Sequence, residues 1–386
     1  MIVHNPSRSI IYFHKIRKQV YYDLYEILDS QLIRSSRLAA HENNISNFYL
    51  TPDEYYEVIP NVTVIPPRTR WHFDGKNFYL LNNVSFASNY HDDISDFHHI
   101  ARRITDVLKG KSLAIELSGG LDTSLIIGMM NHFGVDPFLI GVHSKRYELR
   151  TESFVQSIFL EKFDNVCLLN EEDTLPFTGL KNTPIHCLPS STSLYYLHAL
   201  NIATACKKEK VDVLLSGMGL DTLLCESTIG IEKNTIPKNW FIWMLEDYWF
   251  DQYIYREREI KYTSGAASQL IIKSILTLRN NQKEDPSKWW ARNTFKDYLP
   301  SELYNYAYKA DNSGGFLDGF INAKEDITEL FKVTYDITKF EDFNESSLRK
   351  LYDNPHHVSD FKDKLILSRV SYANWIYGLV RENIIT

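Results

Sequence analysis

The chain twice runs a short apolar stretch straight into a glycine-rich turn, and the first of these turns opens a helix. Leu113-Ala114-Ile115-Glu116-Leu117 leads into Ser118-Gly119-Gly120-Leu121-Asp122-Thr123-Ser124, and Val211-Asp212-Val213-Leu214-Leu215 leads into Ser216-Gly217-Met218-Gly219-Leu220-Asp221. A nearly continuous apolar run of this length suits a strand buried on both faces. Further apolar runs at 138–142 and 166–169 alternate with helical periods over 122–133, 151–163 and 194–206. Strands alternating with helices predict an α/β fold with a parallel, doubly wound sheet. In such sheets ligands lie beyond the carboxyl ends of the strands, which is where both turns fall.

Both turns have the chemistry a polyphosphate needs. Glycines lack a Cβ, so backbone N–H groups can approach phosphate oxygens closely. A helix N-terminus adds its positive dipole end at the same point. Ser118, Thr123 and Ser124 offer hydroxyls, and Asp122 can hold a Mg²⁺ that shares its charge with the phosphates. There is no lysine where a GxxxxGK[ST] loop would need one. A plainer reading is a tight turn, with Gly for geometry and Ser or Thr for capping. The second turn bears on that choice. In a parallel sheet both turns leave from the same edge, so Asp122 and Asp221 are expected to face one cavity. Two carboxylates are what a magnesium ion on a pyrophosphate asks for.

Composition excludes several classes. Net charge is −7, with 44% hydrophobic and 24% charged residues, an ordinary globular balance. No basic stripe suggests nucleic acid as a partner. No run reaches the ~18–20 apolar residues of a spanning helix. The first residues lack the charged-then-apolar order of a secretory signal, so the expected location is the cytoplasm. Cys167, Cys187, Cys206 and Cys225 contain no CxxC pair, which argues against zinc and against a disulfide framework.

Two domains are expected. Residues 1–90 read as a small α+β module. A helical period over 1–37 places Val20, Leu24, Ile27, Leu28 and Leu32 on one face. Strands follow at 56–59, 62–65 and 71–73, and Asp74-Gly75-Lys76 predicts a hairpin into 77–80. Residues 82–96 are polar and read as a linker. The second domain, 91–386, opens with a helix over 100–108 stopped by Gly110. It contains the sheet and ends in a helical C-terminal region expected to pack on that sheet.

The residues of both turns resemble a known family. Ser118-Gly119-Gly120-Leu121-Asp122-Thr123-Ser124 is similar to the SGGxDS pyrophosphatase loop of the asparagine synthetase superfamily, and Leu215-Ser216-Gly217-Met218-Gly219-Leu220-Asp221 to its LSGxGxDE loop. Arg292-Asn293-Thr294-Phe295, Leu299-Pro300 and Lys309 ahead of Gly314-Gly315-Phe316 are similar to its C-terminal pattern. Residues 56–79, with Ile65-Pro66-Pro67, resemble the end of its glutaminase-like domain. Together these matches extend over residues 50–320.

The resemblance implies a sheet of the PP-loop type (adenine nucleotide α-hydrolase-like). It implies ATP-dependent activation of a carboxylate as an acyl-adenylate, release of pyrophosphate, and capture by an amine. Asparagine synthesis, β-lactam closure and lasso peptide cyclisation share that chemistry. The implied cofactors are ATP and Mg²⁺. Ser118, Gly119, Gly120, Leu121, Asp122, Thr123, Ser124, Val142, Ser216, Gly217, Met218 and Gly219 would line the nucleotide, and Asp122 and Asp221 the metal. Lys309 would join those two aspartates as a catalytic residue, unless it is an ordinary solvated lysine.

The departures narrow the expectation. Position 2 is Ile rather than Cys, and no cysteine precedes Cys167, so glutamine hydrolysis by an N-terminal thiol is not expected. Met218 stands where relatives place Glu or Tyr, and Thr222 where they place Glu. The leading expectation is therefore a glutamine-independent, amide-forming ligase acting on a peptide or peptide-like acid with its own amine. A separate peptidase or carrier protein is the expected macromolecular partner. Two alternatives remain open. One is an ammonia- or sulfur-transferring enzyme on a nucleotide or sugar, against which the cysteine spacing argues. The other is a non-catalytic nucleotide-binding scaffold, which Met218 and Thr222 favour.

Overall fold

Short strands, not a helix, open the chain in the computed structural model. The structure describes residues 1–5, 11–22, 26–28, 61–65, 69–76, 78–81, 97–146, 149–185, 189–225, 250–264, 275, 278–279, 283–285, 287–304, 313–353 and 364–385. Strands β1 (Ile2–Asn5), β2 (Ile11–His14), β3 (Gln19–Tyr21), β4 (Val62–Ile65), β5 (Thr69–Phe73) and β6 (Phe78–Leu81) form two antiparallel sheets, ordered β1-β5-β6 and β3-β2-β4. The helix expected over 1–37 is thus corrected, since Val20 lies in β3 and Ile27 and Leu28 are buried in a turn. The Ile-, Val- and aromatic-rich segments here favour a pleated surface, and that preference outweighs a loose four-residue spacing. The hairpin at Asp74-Gly75-Lys76 forms as expected. Gly75 has φ +112°, and the Asp74 carboxylate accepts from the Lys76 N–H at 2.8 Å. Residues 56–59, the linker 82–96, Leu24 and Leu32 lie outside the described residues.

The alternating region builds a five-stranded parallel sheet from β7 (Leu113–Glu116), β8 (Phe138–His143), β9 (Val166–Asn170), β10 (Val213–Ser216) and β11 (Lys261–Ser264). Their order is β11-β10-β7-β8-β9. The chain starts in the middle, grows to one side, then returns to the other side of β7. The strand order therefore reverses between β7 and β10, the switch point at which open parallel sheets offer a ligand crevice. Helices α1 (Phe97–Leu108), α2 (Leu121–His132), α3 (Arg150–Leu160) and α4 (Tyr196–Lys208) follow the expected alternation, and α5 (Leu220–Cys225) and α6 (Trp289–Thr294) come after it. Gly110 and Gly134, at φ +79° and +75°, lie just beyond α1 and α2 as helix stops.

Helix α2 is apolar nearly all round, as a helix enclosed by core must be. Leu125, Ile126, Ile127, Met129 and Met130 share one core with Ile115 and Leu215 of the sheet and with Phe295, Tyr298 and Leu299. Gly128 allows this packing. A Cβ there would lie 1.6 Å from the Tyr298 carbonyl oxygen, so the turn before Leu299-Pro300 is keyed into α2.

Two compact units result. One comprises Met1–Ser85, Leu175–Leu197 and Ser313–Thr386, and the other Phe86–Thr174 and His198–Asn312. The helices from Ser313 onward, α7 (Ser313–Asn322), α8 (Lys324–Thr338), α9 (Glu345–Asp353) and α10 (Lys364–Arg381), belong to the first of these units. An amphipathic face shows that a helix packs, not what it packs against. Here α8 lies along α10, burying Ile327, Leu330, Phe331, Val370 and Ala373. Among the described residues, no helix is long and apolar enough to cross a membrane.

Candidate functional site

Strands β7 and β10 are direct neighbours, with Leu113 opposite Val213 and Ile115 opposite Leu215. Their glycine turns consequently leave side by side at the point of reversal. Gly119 and Gly219 sit at φ +82° and +79°, backbone that L side chains rarely adopt. Gly119 has no spare room either: a Cβ would lie 2.6 Å from the Glu152 carbonyl oxygen, at the start of α3. Gly217 serves close approach instead. A Cβ there would meet Thr123 Cγ2 at 2.7 Å and the Thr123 nitrogen at 3.0 Å, so the second turn rests on the first turn of α2.

Hydroxyls shape the first turn. Ser118 Oγ accepts from the Gly120 N–H at 3.1 Å and bonds Thr123 Oγ1 at 2.9 Å. Thr123 and Ser124 donate to the Gly120 carbonyl at 3.2 and 2.8 Å. Both side chains are buried, so they brace the loop, while Ser118 remains exposed at its rim. In the second turn Ser216 Oγ accepts from the Met218 N–H at 3.2 Å, and Met218 is half-buried.

The two aspartates do come together, and a residue that sequence reasoning missed lies between them. Lys288 Nζ donates to both carboxylate oxygens of Asp122, at 2.7 and 2.8 Å, and pairs with Asp221 as well. Asp122 and Lys288 are nearly buried, at 14% and 13% side-chain exposure, whereas Asp221 is 56% exposed. Burial pushes the Asp122 carboxyl up; the Lys288 ammonium opposes this, and the Asp221 charge adds to the rise. Burial also disfavours the Lys288 charge, but the two carboxylates more than offset it and hold the ammonium protonated.

Lys288 is placed by a well-anchored segment. Its own backbone is left-handed, at φ +52°, immediately before α6. Asp285 caps that helix by accepting from the Trp290 N–H at 2.9 Å and from Ser287 Oγ at 2.6 Å. The Asp285 N–H donates to the Cys225 carbonyl at 2.8 Å, tying the segment to the end of α5. The fully buried Arg279 donates to the carbonyls of Leu223 and Lys283 and stacks its guanidinium over Trp290. Arg292, one of the residues similar to the family pattern, is buried and donates to the Leu303 carbonyl.

A second missed group is Glu116, at the last position of β7. Burial pushes its carboxyl up to about 7, against a hydrogen bond with Ser216. Beside it the buried Gln156 donates to the carbonyls of Val142 and Leu117 at 2.8 and 3.2 Å, tying the ends of β8 and β7 together. The Val142 carbonyl is therefore engaged within the protein. Lys309 lies outside the described residues, as does the Thr222 side chain.

Asp122 and Asp221 suit a magnesium ion by donor chemistry. They present hard carboxylate oxygens close enough to share one cation, and Mg²⁺ usually takes one or two carboxylates alongside water and phosphate oxygens. Among the described residues no cluster of three acidic, His or Cys side chains offers a metal a fuller cage.

No protein-family model matches the chain, and no curated protein matches it. The likeness to the asparagine synthetase superfamily rests on the residues of the two turns and the segments quoted with them.

Proposed function

We propose that the protein is an ATP-dependent carbon–nitrogen ligase with a sheet of the PP-loop type. It adenylates the carboxylate of a peptide or peptide-like acid, and an amine of the same molecule then displaces AMP. One observation carries this reading: two glycine turns, each followed by an aspartate, lie together at the switch point of a parallel sheet and share a single cation.

The chain's own groups would divide the work. Backbone N–H groups of Gly119 and Leu121 at the start of α2, with the rim hydroxyl of Ser118 that holds the Gly120 N–H, would receive the departing pyrophosphate. The Ser216–Gly219 turn would flank it, and Val142 would line the nucleotide. A magnesium ion held by Asp122 and Asp221 would, when bound, offset the charge on the phosphates. In the first step a carboxylate oxygen attacks the α-phosphorus and the bond to pyrophosphate breaks. In the second an amine attacks the acyl carbon, loses its proton, and AMP leaves. Lys309 would supply a cation to the charge that develops, and Lys309→Met should reduce turnover by ~10²–10³-fold. Met218 has no basic group, so the amine proton goes to another acceptor.

The test is product analysis with purified protein, ATP and candidate peptide acids, with hydroxylamine present as a trap. Acid-dependent AMP and pyrophosphate, plus a hydroxamate of the acid, are expected. ADP and phosphate as products, or tight nucleotide binding with no turnover for any acid or neighbouring gene product, would overturn the ligase reading; the second result is that of a scaffold.

A further inference from the structure

The Lys288 ammonium uses the oxygens that a metal ion would need. It donates to both oxygens of Asp122 and pairs with Asp221. A divalent cation cannot take the position between the two aspartates while the ammonium occupies it. Nor is Lys288 a casual surface contact. It is nearly buried, its backbone takes a left-handed conformation, and its segment is fastened by Asp285 to α5 and by Arg279 to Leu223 and Lys283.

The charges suggest a task for it. Two carboxylates and one ammonium leave the pair with a single net negative charge, so the site is nearly balanced without a metal. A divalent ion that enters must displace the ammonium, which then lacks a counter-charge in a largely buried place. The lysine stem is long and flexible, and the glycine turns that would receive phosphate lie beside the aspartates. An anion of high charge in those turns gives the displaced ammonium a new partner.

We propose that Lys288 is a built-in stand-in for the metal: it keeps divalent cations off Asp122 and Asp221 until a polyphosphate arrives, so metal and polyphosphate bind only together. This rests on the nucleotide-site reading of the two turns, but not on the ligase reaction. Free protein then carries no metal of its own, and the lysine moves onto the phosphates as the metal takes its place.

Mn²⁺ serves as the probe, its binding followed by electron paramagnetic resonance in the absence of any nucleotide. Wild-type protein should bind Mn²⁺ weakly, Lys288→Gln at least ~10-fold more tightly, and Lys288→Arg as weakly as wild type. In Lys288→Ala, added methylammonium should compete with Mn²⁺ by reoccupying the vacated position, a readout independent of how well the Gln variant folds. Adding Asp221→Asn to Lys288→Gln should abolish the gain. Equal Mn²⁺ affinity in wild type and Lys288→Gln, or no effect of methylammonium on Lys288→Ala, would overturn the stand-in role. Failure of the two readings can be told apart. Acid-dependent pyrophosphate release with unchanged Mn²⁺ affinities sinks the stand-in role alone, and the Mn²⁺ pattern without pyrophosphate release sinks the ligase alone.

Discussion

The two glycine turns look alike in sequence but are built differently. The first is braced: Gly119 abuts α3, hydroxyls of Ser118, Thr123 and Ser124 hold the loop, and Asp122 is nearly buried. The second rests on the first through Gly217 and leaves Asp221 more than half exposed. One carboxylate is fixed and desolvated, while its partner can adjust. Such a pair can exchange an ammonium for another cation without rebuilding the sheet edge, because only the outer ligand has to move.

That contrast can be broken, first at the aspartates. Either Asp122→Asn or Asp221→Asn should reduce pyrophosphate release by ~10³-fold or more, since each removes a charge that would face the phosphates. Stability should separate the two. Asp122→Asn leaves Lys288 nearly buried with one exposed partner and should cost ~3 kcal/mol in denaturant melts. Asp221→Asn should cost under ~1 kcal/mol, because Asp221 is itself more than half exposed and Lys288 keeps its pair with Asp122. Equal losses of stability would erase the distinction between a fixed and an adjustable carboxylate.

The glycines give the next largest effects. Gly119→Ala forces a Cβ against Glu152 backbone at a positive φ, and should destabilise by ~3 kcal/mol. Gly217→Ala meets the Thr123 methyl and nitrogen and should cost ~1–2 kcal/mol while parting the turns. Its clearer signature is nucleotide affinity, reduced ~10-fold or more by titration, because the turns no longer share one face.

The Glu116 carboxyl bears on stability alone. Glu116 is raised from its ordinary value near 4.5 to about 7, so the folded protein holds this proton more tightly than the unfolded chain does. The stability this contributes is complete below pH ~4.5 and is lost as pH rises through ~7. Glu116→Gln stays neutral throughout. Compared with wild type, it should gain ~3 kcal/mol between pH 4.5 and pH 8 in urea melts. A pH-independent difference would mean that Glu116 titrates normally.

What could be read from the sequence follows from how burial is encoded. β7, β8 and β10 are legible because strands covered on both faces need unbroken apolar runs, and β9 carries such a run although its positions are only half-buried. β11 is not: Lys261-Tyr262-Thr263-Ser264 alternates exposed and buried positions at the sheet edge and has no such run. The aspartates and glycines are legible because their residue types at strand ends have few other uses. Lys288 is not, since its partner Asp122 lies 166 positions away and nothing local marks one lysine among many. Glu116 stands within an apolar run, where its burial beside Ser216, not its spacing, gives it meaning.

The order β11-β10-β7-β8-β9 has a consequence for how the molecule is made. Chains emerge from the ribosome N-terminus first, so β7, β8 and β9 can pair while residues after Asn170 are still being added. Throughout that interval one side of β7 has no neighbour, and its Leu-Ala-Ile-Glu backbone offers bare N–H and C=O groups to any passing strand. The gap closes when Val213–Ser216 arrives, and the same event brings the second turn onto the first. Lys288 is translated later still. A growing chain thus exposes its most adhesive edge and its incomplete anion seat over the same period, and nascent forms of this protein should depend on holdase chaperones mainly between the synthesis of β9 and that of β10.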